Sequence, residues 1–220
     1  MARVAGATIL LTRPQADSQR FAAMLPHWPV VISPIMRIVP VPHDARRLRD
    51  AEGLVFTSAH AIPAAGPGRG RFAICVGSRT GDLARQAGFH VVEGNGFAES
   101  LPPLIAAAPV PLIHPQGRHL ARQLPVEGVV VYDQQALDLS DQAQHLLGGD
   151  RPVILPIFSP RSARLLSAQV ENSRAPLWPV AISKAAMEGW NAPARGRNIA
   201  SEPSSGAMIA AIGRLHLTEH

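Results

Sequence analysis

Several short apolar runs of this chain end in loops that contain serine, threonine, histidine or arginine. Where a parallel strand leads into a helix, such a loop combines free backbone N–H groups with side chains that donate hydrogen bonds, and this combination binds anions. Helix capping alone is the alternative interpretation of each loop, because serine, threonine and proline are common at helix starts. The loops lie at residues 12–14 (TRP), 57–60 (TSAH), 77–80 (GSRT), 114–118 (HPQGR), 159–162 (SPRS) and 183–184 (SK).

Motifs typical of other catalytic and metal-binding proteins are absent from the sequence. There is no GxxxxGK[ST] phosphate loop, no HExxH pair and no GxSxG nucleophile elbow. His216 and His220 are four residues apart but stand at the end of the sequence, and histidines are expected at the surface, so no metal site is predicted. Cys75 lies within an apolar run and is interpreted as a small buried hydrophobic residue.

The charge and composition favour a small anionic ligand over a nucleic acid. The net charge is +5, from 21 lysine and arginine residues against 16 aspartate and glutamate residues, and Lys184 is the only lysine. Arginine can grip carboxylates and phosphates with two parallel hydrogen bonds. Because aromatic residues make up only 5% of the chain, the mixed basic and aromatic surface of a nucleic-acid groove is not expected.

The cysteine content and hydropathy predict a globular protein of the cytoplasm. The single cysteine excludes an internal disulfide and a thiolate-rich zinc site, and it suits a reducing compartment. No apolar stretch approaches the roughly 20 residues that a membrane-spanning helix needs. We therefore expect no membrane partner.

Strand-like and helix-like segments alternate along the chain, and this alternation predicts an α/β fold with parallel sheets covered on both faces. A strand at residues 7–12 (ATILLT) precedes a helix at residues 14–25 that begins with proline. The same order recurs with strands and following segments at residues 53–58 and 59–66, 71–77 and 78–89, 110–115 and 116–124, 151–159 and 160–170, 175–183 and 184–190, and 197–201 and 202–215.

An internal similarity indicates two α/β units of similar construction. The alignment places segments from the first half of the chain on segments from the second half at offsets of about 101 to 106 residues. The matched positions are Pro14 with Pro115, Phe56 with Phe158, and Cys75 with Ala181.

Two extended runs fit neither unit. Residues 36–42 (MRIVPVP) and 129–137 (VVVYDQQAL) have strand character, but the prolines at positions 40 and 42 exclude a central sheet position. We interpret the runs as paired linker strands. The first domain is then discontinuous, with residues 1–35 and 138–220, while residues 43–128 form an inserted second domain and a cleft lies between the two.

Several segments in this order resemble the uroporphyrinogen-III synthase family. They are ILLTRPQADSQRFAAML, LVFTSAHA, ICVGSRTGDLARQAGF, GRHLARQL followed by VVVYDQQAL, and IFSPRSARLL. The resemblance extends through most of the chain. It implies two flavodoxin-like domains joined by a two-stranded β linker, with the active site in the interdomain cleft.

The resemblance also implies an activity in tetrapyrrole (heme) biosynthesis. Enzymes of this family close the linear tetrapyrrole hydroxymethylbilane to uroporphyrinogen III, inverting the terminal pyrrole ring, and they need no cofactor. The implied partner is therefore this small-molecule substrate, and we expect a monomer without nucleic-acid or membrane partners. A two-domain protein that binds an anionic ligand without catalysis is the main alternative. A nucleotide-using transferase is disfavoured by the missing phosphate loop.

Site residues follow from the same resemblance. Tyr132, the only tyrosine, matches a family tyrosine thought to assist departure of the substrate hydroxyl, and a phenol stays protonated at neutral pH. The alternative is an amphipathic aromatic residue at a domain edge. The residues expected to bind the acetate and propionate groups of the substrate are Arg13, Thr57, Ser58, His60, Ser78, Thr80, Arg118, Ser159, Arg161 and Ser183.

The sequence departs from the family pattern at three of the loops. His60 stands where many relatives have arginine, and residues 181–189 read AISKAAMEG where relatives often show a glycine followed by threonines. The third loop reads IHPQGR, where relatives tend to place arginine and glycine directly after the strand. The change at His60 weakens one expected anion contact. The altered loop at Ser183 to Ala186 favours the binding-protein alternative, whereas Tyr132 favours the enzyme.

Overall fold

The computed structural model describes residues 6–120 and 122–215. These residues form two compact units. Unit 1 takes its described residues from the ranges Met1–Arg37 and Ala136–His220, and unit 2 is Ile38–Gln135. His216 and His220, considered above as metal ligands, lie outside the described residues. Within the described ranges, no helix is long and apolar enough to cross a membrane.

Short strands and helices alternate in both units. The strands are β1 (Thr8–Leu11), β2 (Val30–Ile32), β3 (Met36–Pro40), β4 (Gly53–Phe56), β5 (Phe72–Cys75), β6 (His90–Glu93), β7 (Leu112–Gly117), β8 (Glu127–Ala136), β9 (Val153–Ile157), β10 (Leu177–Ala181) and β11 (Asn198–Ile199). The α-helices are α1 (Gln15–Ala23), α2 (Ala45–Asp50), α3 (Ser78–Gln86), α4 (Leu101–Ala106), α5 (Asp141–Leu147), α6 (Pro160–Val170), α7 (Lys184–Glu188) and α8 (Ser205–Gly213), and Ala59–Ala65 and Ala98–Ser100 are 3-10 helices.

The sheet of unit 1 is parallel and has the strand order β11-β10-β9-β1-β2. All five residues of β9 are buried. Successive residues of a strand point to opposite faces, and Ile154 and Leu155 accordingly belong to two different hydrophobic clusters. Leu155 packs with Leu166 of α6, whereas Ile154 packs with Phe21 of α1 and with residues of α8. Helices therefore cover both faces, as expected for a parallel sheet.

The sheet of unit 2 has the order β3-β8-β7-β4-β5-β6. Strands β8, β7, β4, β5 and β6 are mutually parallel. On its other side, β8 is bonded to the segment that contains β3. The N–H of Leu137 donates to the carbonyl of Ile35, and the N–H of Val41 donates to the carbonyl of Val131, so residue numbers rise along one strand as they fall along the other. Strand β3 is therefore antiparallel to β8, and it lies at the sheet edge, as its prolines led us to expect.

The prediction of a helix at residues 116–124 is wrong. Strand β7 continues to Gly117, and the described residues between β7 and β8 contain no helix. The connection must return along β7 to the start of the parallel strand β8 within residues 118–126. That path is about 20 Å, which nine residues cover when extended but not as a helix rising about 1.5 Å per residue.

The internal similarity holds in the strand-helix junctions but not at its first pair. Phe56 ends β4 and Phe158 directly follows β9, while Cys75 and Ala181 are the last residues of β5 and β10. Pro14, however, precedes α1, whereas Pro115 lies inside β7. The first pair is therefore a similarity of sequence without a similarity of structure.

Candidate active site

The loop after β4 places two hydroxyl groups at the carboxyl edge of the unit 2 sheet. Thr57 and Ser58 are both half-buried. The Ser58 hydroxyl accepts a hydrogen bond from the backbone N–H of His60 at 3.3 Å, so it caps the following 3-10 helix. This hydrogen bond of Ser58 is therefore a helix cap, as the capping interpretation of the loop predicts. A hydroxyl that accepts one hydrogen bond can still donate another, so Ser58 stays a candidate ligand of the substrate.

Thr57 contacts a buried histidine, although histidines were expected at the surface. Its Oγ1 lies 2.9 Å from Nε2 of His114 on the neighbouring strand β7. His114 is only 1% exposed. Burial lowers the pKa of His114 to about 4, so the ring is neutral at pH 7. The sequence could have indicated this burial, because His114 lies within the apolar strand PLIH.

The buried His114 gives a prediction for stability against pH. The pKa is 6.5 in the unfolded chain and about 4 in the folded one, so between these values the unfolded state binds more protons. The free energy of unfolding should therefore fall by about 3 kcal/mol from this group as the pH drops from 6.5 to 4.

Urea unfolding of the wild type and of His114→Gln at pH 7, 5.5 and 4 measures this effect. Glutamine does not titrate, so the variant should lose less stability than the wild type over this pH range. Equal losses in the two proteins would contradict the buried, neutral state of His114.

Tyr132 lies on β8 with only 5% of its surface exposed. Burial raises the pKa of its phenol, and hydrogen bonds with the side chains of Ser58 and Gln134 oppose this shift. The phenol is thus protonated at neutral pH. The ring lies edge-on to His60, with 5.9 Å between the ring centroids. Gly117 permits this placement, because a Cβ there would lie 2.6 Å from Cε2 of the tyrosine.

The other predicted residues of unit 2 follow strands β5 and β7. Ser78 is the first residue of α3 and is exposed, while Thr80 in the same turn is buried. Arg118 follows β7 and donates from Nε to Asp133 Oδ2 at 3.1 Å, with its side chain half exposed. Its backbone N–H donates to the carbonyl of Tyr132. Arg118 is therefore held beside the tyrosine strand by its backbone and its side chain.

In unit 1, the guanidinium of Arg13 contacts an aromatic ring and a buried carboxylate. Arg13 follows β1 by two residues, and its guanidinium carbon lies 4.1 Å from the centroid of the Phe158 ring. Its Nη2 lies 3.5 Å from Oδ2 of the buried Asp17, which also pairs with Arg20. These contacts hold the guanidinium against Phe158, the residue before Ser159.

The remaining candidates of unit 1 stand at helix starts. The Ser159 hydroxyl caps α6 by accepting from the N–H of Ser162 at 3.1 Å. The Ser162 hydroxyl in turn accepts from the N–H of Ser159. Arg161 lies in the first turn of the same helix. Ser183 caps α7 by accepting from the N–H of Ala186 at 3.2 Å. For both serines the capping interpretation accounts for these hydrogen bonds.

The structure thus brings the predicted residues into two groups. Thr57, Ser58, His60 and Tyr132 lie close together in unit 2, and Arg13 lies beside Phe158 in unit 1. Within the described ranges, no group of three or more histidine, cysteine or acidic residues could hold a metal ion. Cys75 is buried, which raises the pKa of its thiol to about 12. Its assignment as a small buried hydrophobic residue is confirmed.

The fold defines a class: a mixed α/β protein with parallel sheets, in which hydroxyl and guanidinium side chains follow several of the strands. The family model described as Uroporphyrinogen-III synthase HemD matches residues 28–210. The chain therefore belongs to the uroporphyrinogen-III synthase family, whose members are cyclising lyases of heme biosynthesis that act on a small tetrapyrrole.

Solved structures of this family share the fold. The uroporphyrinogen-III synthetase of Helicobacter pylori superposes with a TM-score of 0.62 at 15% sequence identity, covering 96% of this chain and 100% of that chain. A mutant uroporphyrinogen III synthase of Thermus thermophilus superposes with a TM-score of 0.51 at 14% identity, covering 96% of this chain and 98% of the other. A search of curated proteins found no match.

Proposed function

We propose that Tyr132 assists loss of the terminal hydroxyl of hydroxymethylbilane in the reaction of this family. The electron pair of the pyrrole that bears the hydroxymethyl group expels the hydroxyl, which leaves as water as the phenol supplies hydrogen bonding and a proton. The substituted α-carbon of the last ring then attacks the resulting azafulvene, and the spiro intermediate fragments and recloses with that ring inverted. The proton that this carbon framework releases restores the phenol, so one water is the only by-product.

One observation carries this assignment: the phenol of Tyr132 is buried, protonated and bonded to Ser58 within the group of polar strand ends in unit 2. The side chains of Ser58 and Gln134 also interact with the phenol. A proton donor held in one position is what departure of a poor leaving group requires. Turnover of hydroxymethylbilane by the Tyr132→Phe variant tests the assignment.

We also propose that both groups of polar residues bind acetate and propionate side chains of the substrate. Charge-assisted hydrogen bonds from arginine to a carboxylate are short and strong. Arg13 supports this role because Phe158 and Asp17 hold its guanidinium in place while 22% of the side chain remains exposed. The hydroxyls of Thr57 and Ser58, the imidazole of His60, and the groups at Ser78, Thr80, Arg118, Ser159, Arg161 and Ser183 complete the proposed contacts.

The Arg13→Ala variant tests the binding role in unit 1. Loss of one charge-assisted contact to a carboxylate should raise KM about tenfold and change kcat little. Arg20→Ala is the matched control, because Arg20 also pairs with Asp17 but is more exposed. The control should keep the wild-type KM. Equal KM values for the two variants would remove Arg13 from the binding site.

We propose the finer architecture on the same basis. Residues 1–35 with 138–220 and residues 43–128 form two flavodoxin-like domains, joined by linker strands at residues 36–42 and 129–137. The changes of unit at Arg37 and at Ala136 fall inside these linker strands, which supports the proposal. The proposal includes that the enzyme is monomeric and cytoplasmic and works without a cofactor. Sedimentation of the purified chain tests the oligomeric state.

A further inference from the structure

We propose that His114 is a positioning residue for substrate binding: it holds the Thr57 hydroxyl in the orientation that donates a hydrogen bond to a substrate carboxylate. The proposal rests on the proposed binding role of Thr57. It adds a residue that contacts no substrate group itself and acts through the hydroxyl beside it.

The geometry places the two side chains on adjacent strands. In the register of β4 and β7, Leu54 is paired with Ile113, so His114 lies one residue nearer to the carboxyl edge, where Thr57 follows β4. The imidazole Nε2 lies 2.9 Å from Thr57 Oγ1. His114 is buried and Thr57 is half-buried. The histidine thus supports the hydroxyl from within the protein and leaves part of the threonine accessible.

Binding of a carboxylate by Thr57 requires one direction for this hydrogen bond. A neutral imidazole has one N–H donor and one acceptor nitrogen. If Nε2 carries the proton, it donates to Thr57 Oγ1, and the threonine O–H remains to donate to another group. A carboxylate is only an acceptor, so this arrangement attracts it. With Nε2 as acceptor, the threonine would instead present its lone pairs to the carboxylate and repel it.

The neighbouring hydroxyl is supported in a similar way. Ser58 shares a hydrogen bond with the buried phenol of Tyr132 on β8, and β8 is the strand next to β7. Two consecutive hydroxyls after β4 are therefore each bonded to a buried polar ring on another strand of the same sheet. Such partners remove rotational freedom from the hydroxyls before the substrate binds, which lowers the entropic cost of binding.

A matched pair of amide substitutions tests the proposal. In His114→Gln the amide nitrogen reaches about the position of the imidazole Nε2, whereas in His114→Asn the shorter side chain falls short of Thr57. Both variants are uncharged at every pH and are made in the wild type and in Thr57→Val. Steady-state turnover of hydroxymethylbilane gives KM and kcat for each protein, and urea unfolding gives its stability.

We expect His114→Asn to raise KM about tenfold with kcat within about twofold of wild type, since an orientation-dependent hydrogen bond is lost in substrate binding. His114→Gln should keep KM within about threefold of wild type. In the Thr57→Val background, which lacks the hydroxyl, the two amides should give the same KM. If His114→Asn does not fold, His114→Phe replaces it, because its ring fills a similar volume without a hydrogen bond.

Three results would overturn the proposal. The first is equal KM values for His114→Asn and His114→Gln in the presence of Thr57. The second is a difference between them that persists in Thr57→Val, because His114 would then act without the threonine. The third is an unchanged KM in Thr57→Val alone, which removes the binding role of Thr57. That result would not contradict the enzymatic activity, because ring closure by the wild type is measured separately.

Discussion

Replacing Tyr132 by phenylalanine is expected to lower kcat about 100-fold, the usual contribution of a positioned proton donor. KM should stay within about threefold of wild type, because the phenol acts on the leaving hydroxyl and not on the carboxylates. The ring lies in the hydrophobic cluster of unit 2 with Phe56 and Val131, and phenylalanine preserves this packing. The variant should therefore fold, with a stability loss of about 1 kcal/mol for the missing hydrogen bonds.

Ser58→Ala is the control for the Tyr132 experiment. It removes a hydrogen-bond partner of the phenol but leaves the phenol itself in place, so the loss in kcat should be smaller than in Tyr132→Phe. Thermal unfolding of both variants verifies that they are folded. Wild-type turnover by Tyr132→Phe would exclude the phenol from the reaction and leave it a structural residue.

The second large effect is expected on stability, from Arg71→Met. The guanidinium of Arg71 donates to the carbonyls of Leu48 at 2.7 Å and Ala65 at 2.8 Å. These lie in α2 and at the end of the following 3-10 helix, where carbonyls lack partners within the helix. Nη1 and Nη2 also reach Ala51 and Pro67, and Nε reaches Gly68. Methionine fills the space but leaves the carbonyls without a donor, so we expect a loss of about 3 kcal/mol.

Urea unfolding measures this loss, with Arg71→Lys and Arg46→Met as comparisons. Lysine keeps the charge but cannot reproduce the planar fork of donors, so it should recover only part of the stability. Arg46 pairs with Asp50 on the surface of α2, with 84% of its side chain exposed, and exposed ion pairs contribute little. A loss in Arg71→Met no larger than in Arg46→Met would contradict the role of the Arg71 guanidinium.

The sequence predicts those parts of the fold whose signals are local. Helix α6 has the predicted bounds, Pro160–Val170, because a serine cap, a proline in the first turn and apolar residues at helical spacing all occur within one segment. The edge position of β3 follows from its prolines in the same way. The missing helix after β7 shows the limit. Its pattern is helical, but the length that the connection must span decides the structure, and this length depends on the pairing of β7 with β8.

In the candidate site, too, the residue types could be predicted from the sequence, whereas the contacts between distant residues could not. Hydroxyl residues after strands are visible in the sequence, so Thr57, Ser58 and Ser159 could be nominated before their hydrogen bonds were known. The pairing of Thr57 with His114, at a separation of 57 residues, depends on the strand order of unit 2. The burial of His114 depends on that order too. The family resemblance supplied Tyr132, but its bond to Ser58 is a product of the sheet topology.

The most direct test of the account is the isomer that the purified chain forms from hydroxymethylbilane. The substrate is generated enzymatically in the presence of the chain, and the uroporphyrinogen products are oxidised and separated by chromatography. Because free hydroxymethylbilane closes without inversion, we expect the chain to shift the product to uroporphyrinogen III. An isomer ratio equal to that in buffer alone would contradict the account and leave a protein that binds without catalysis.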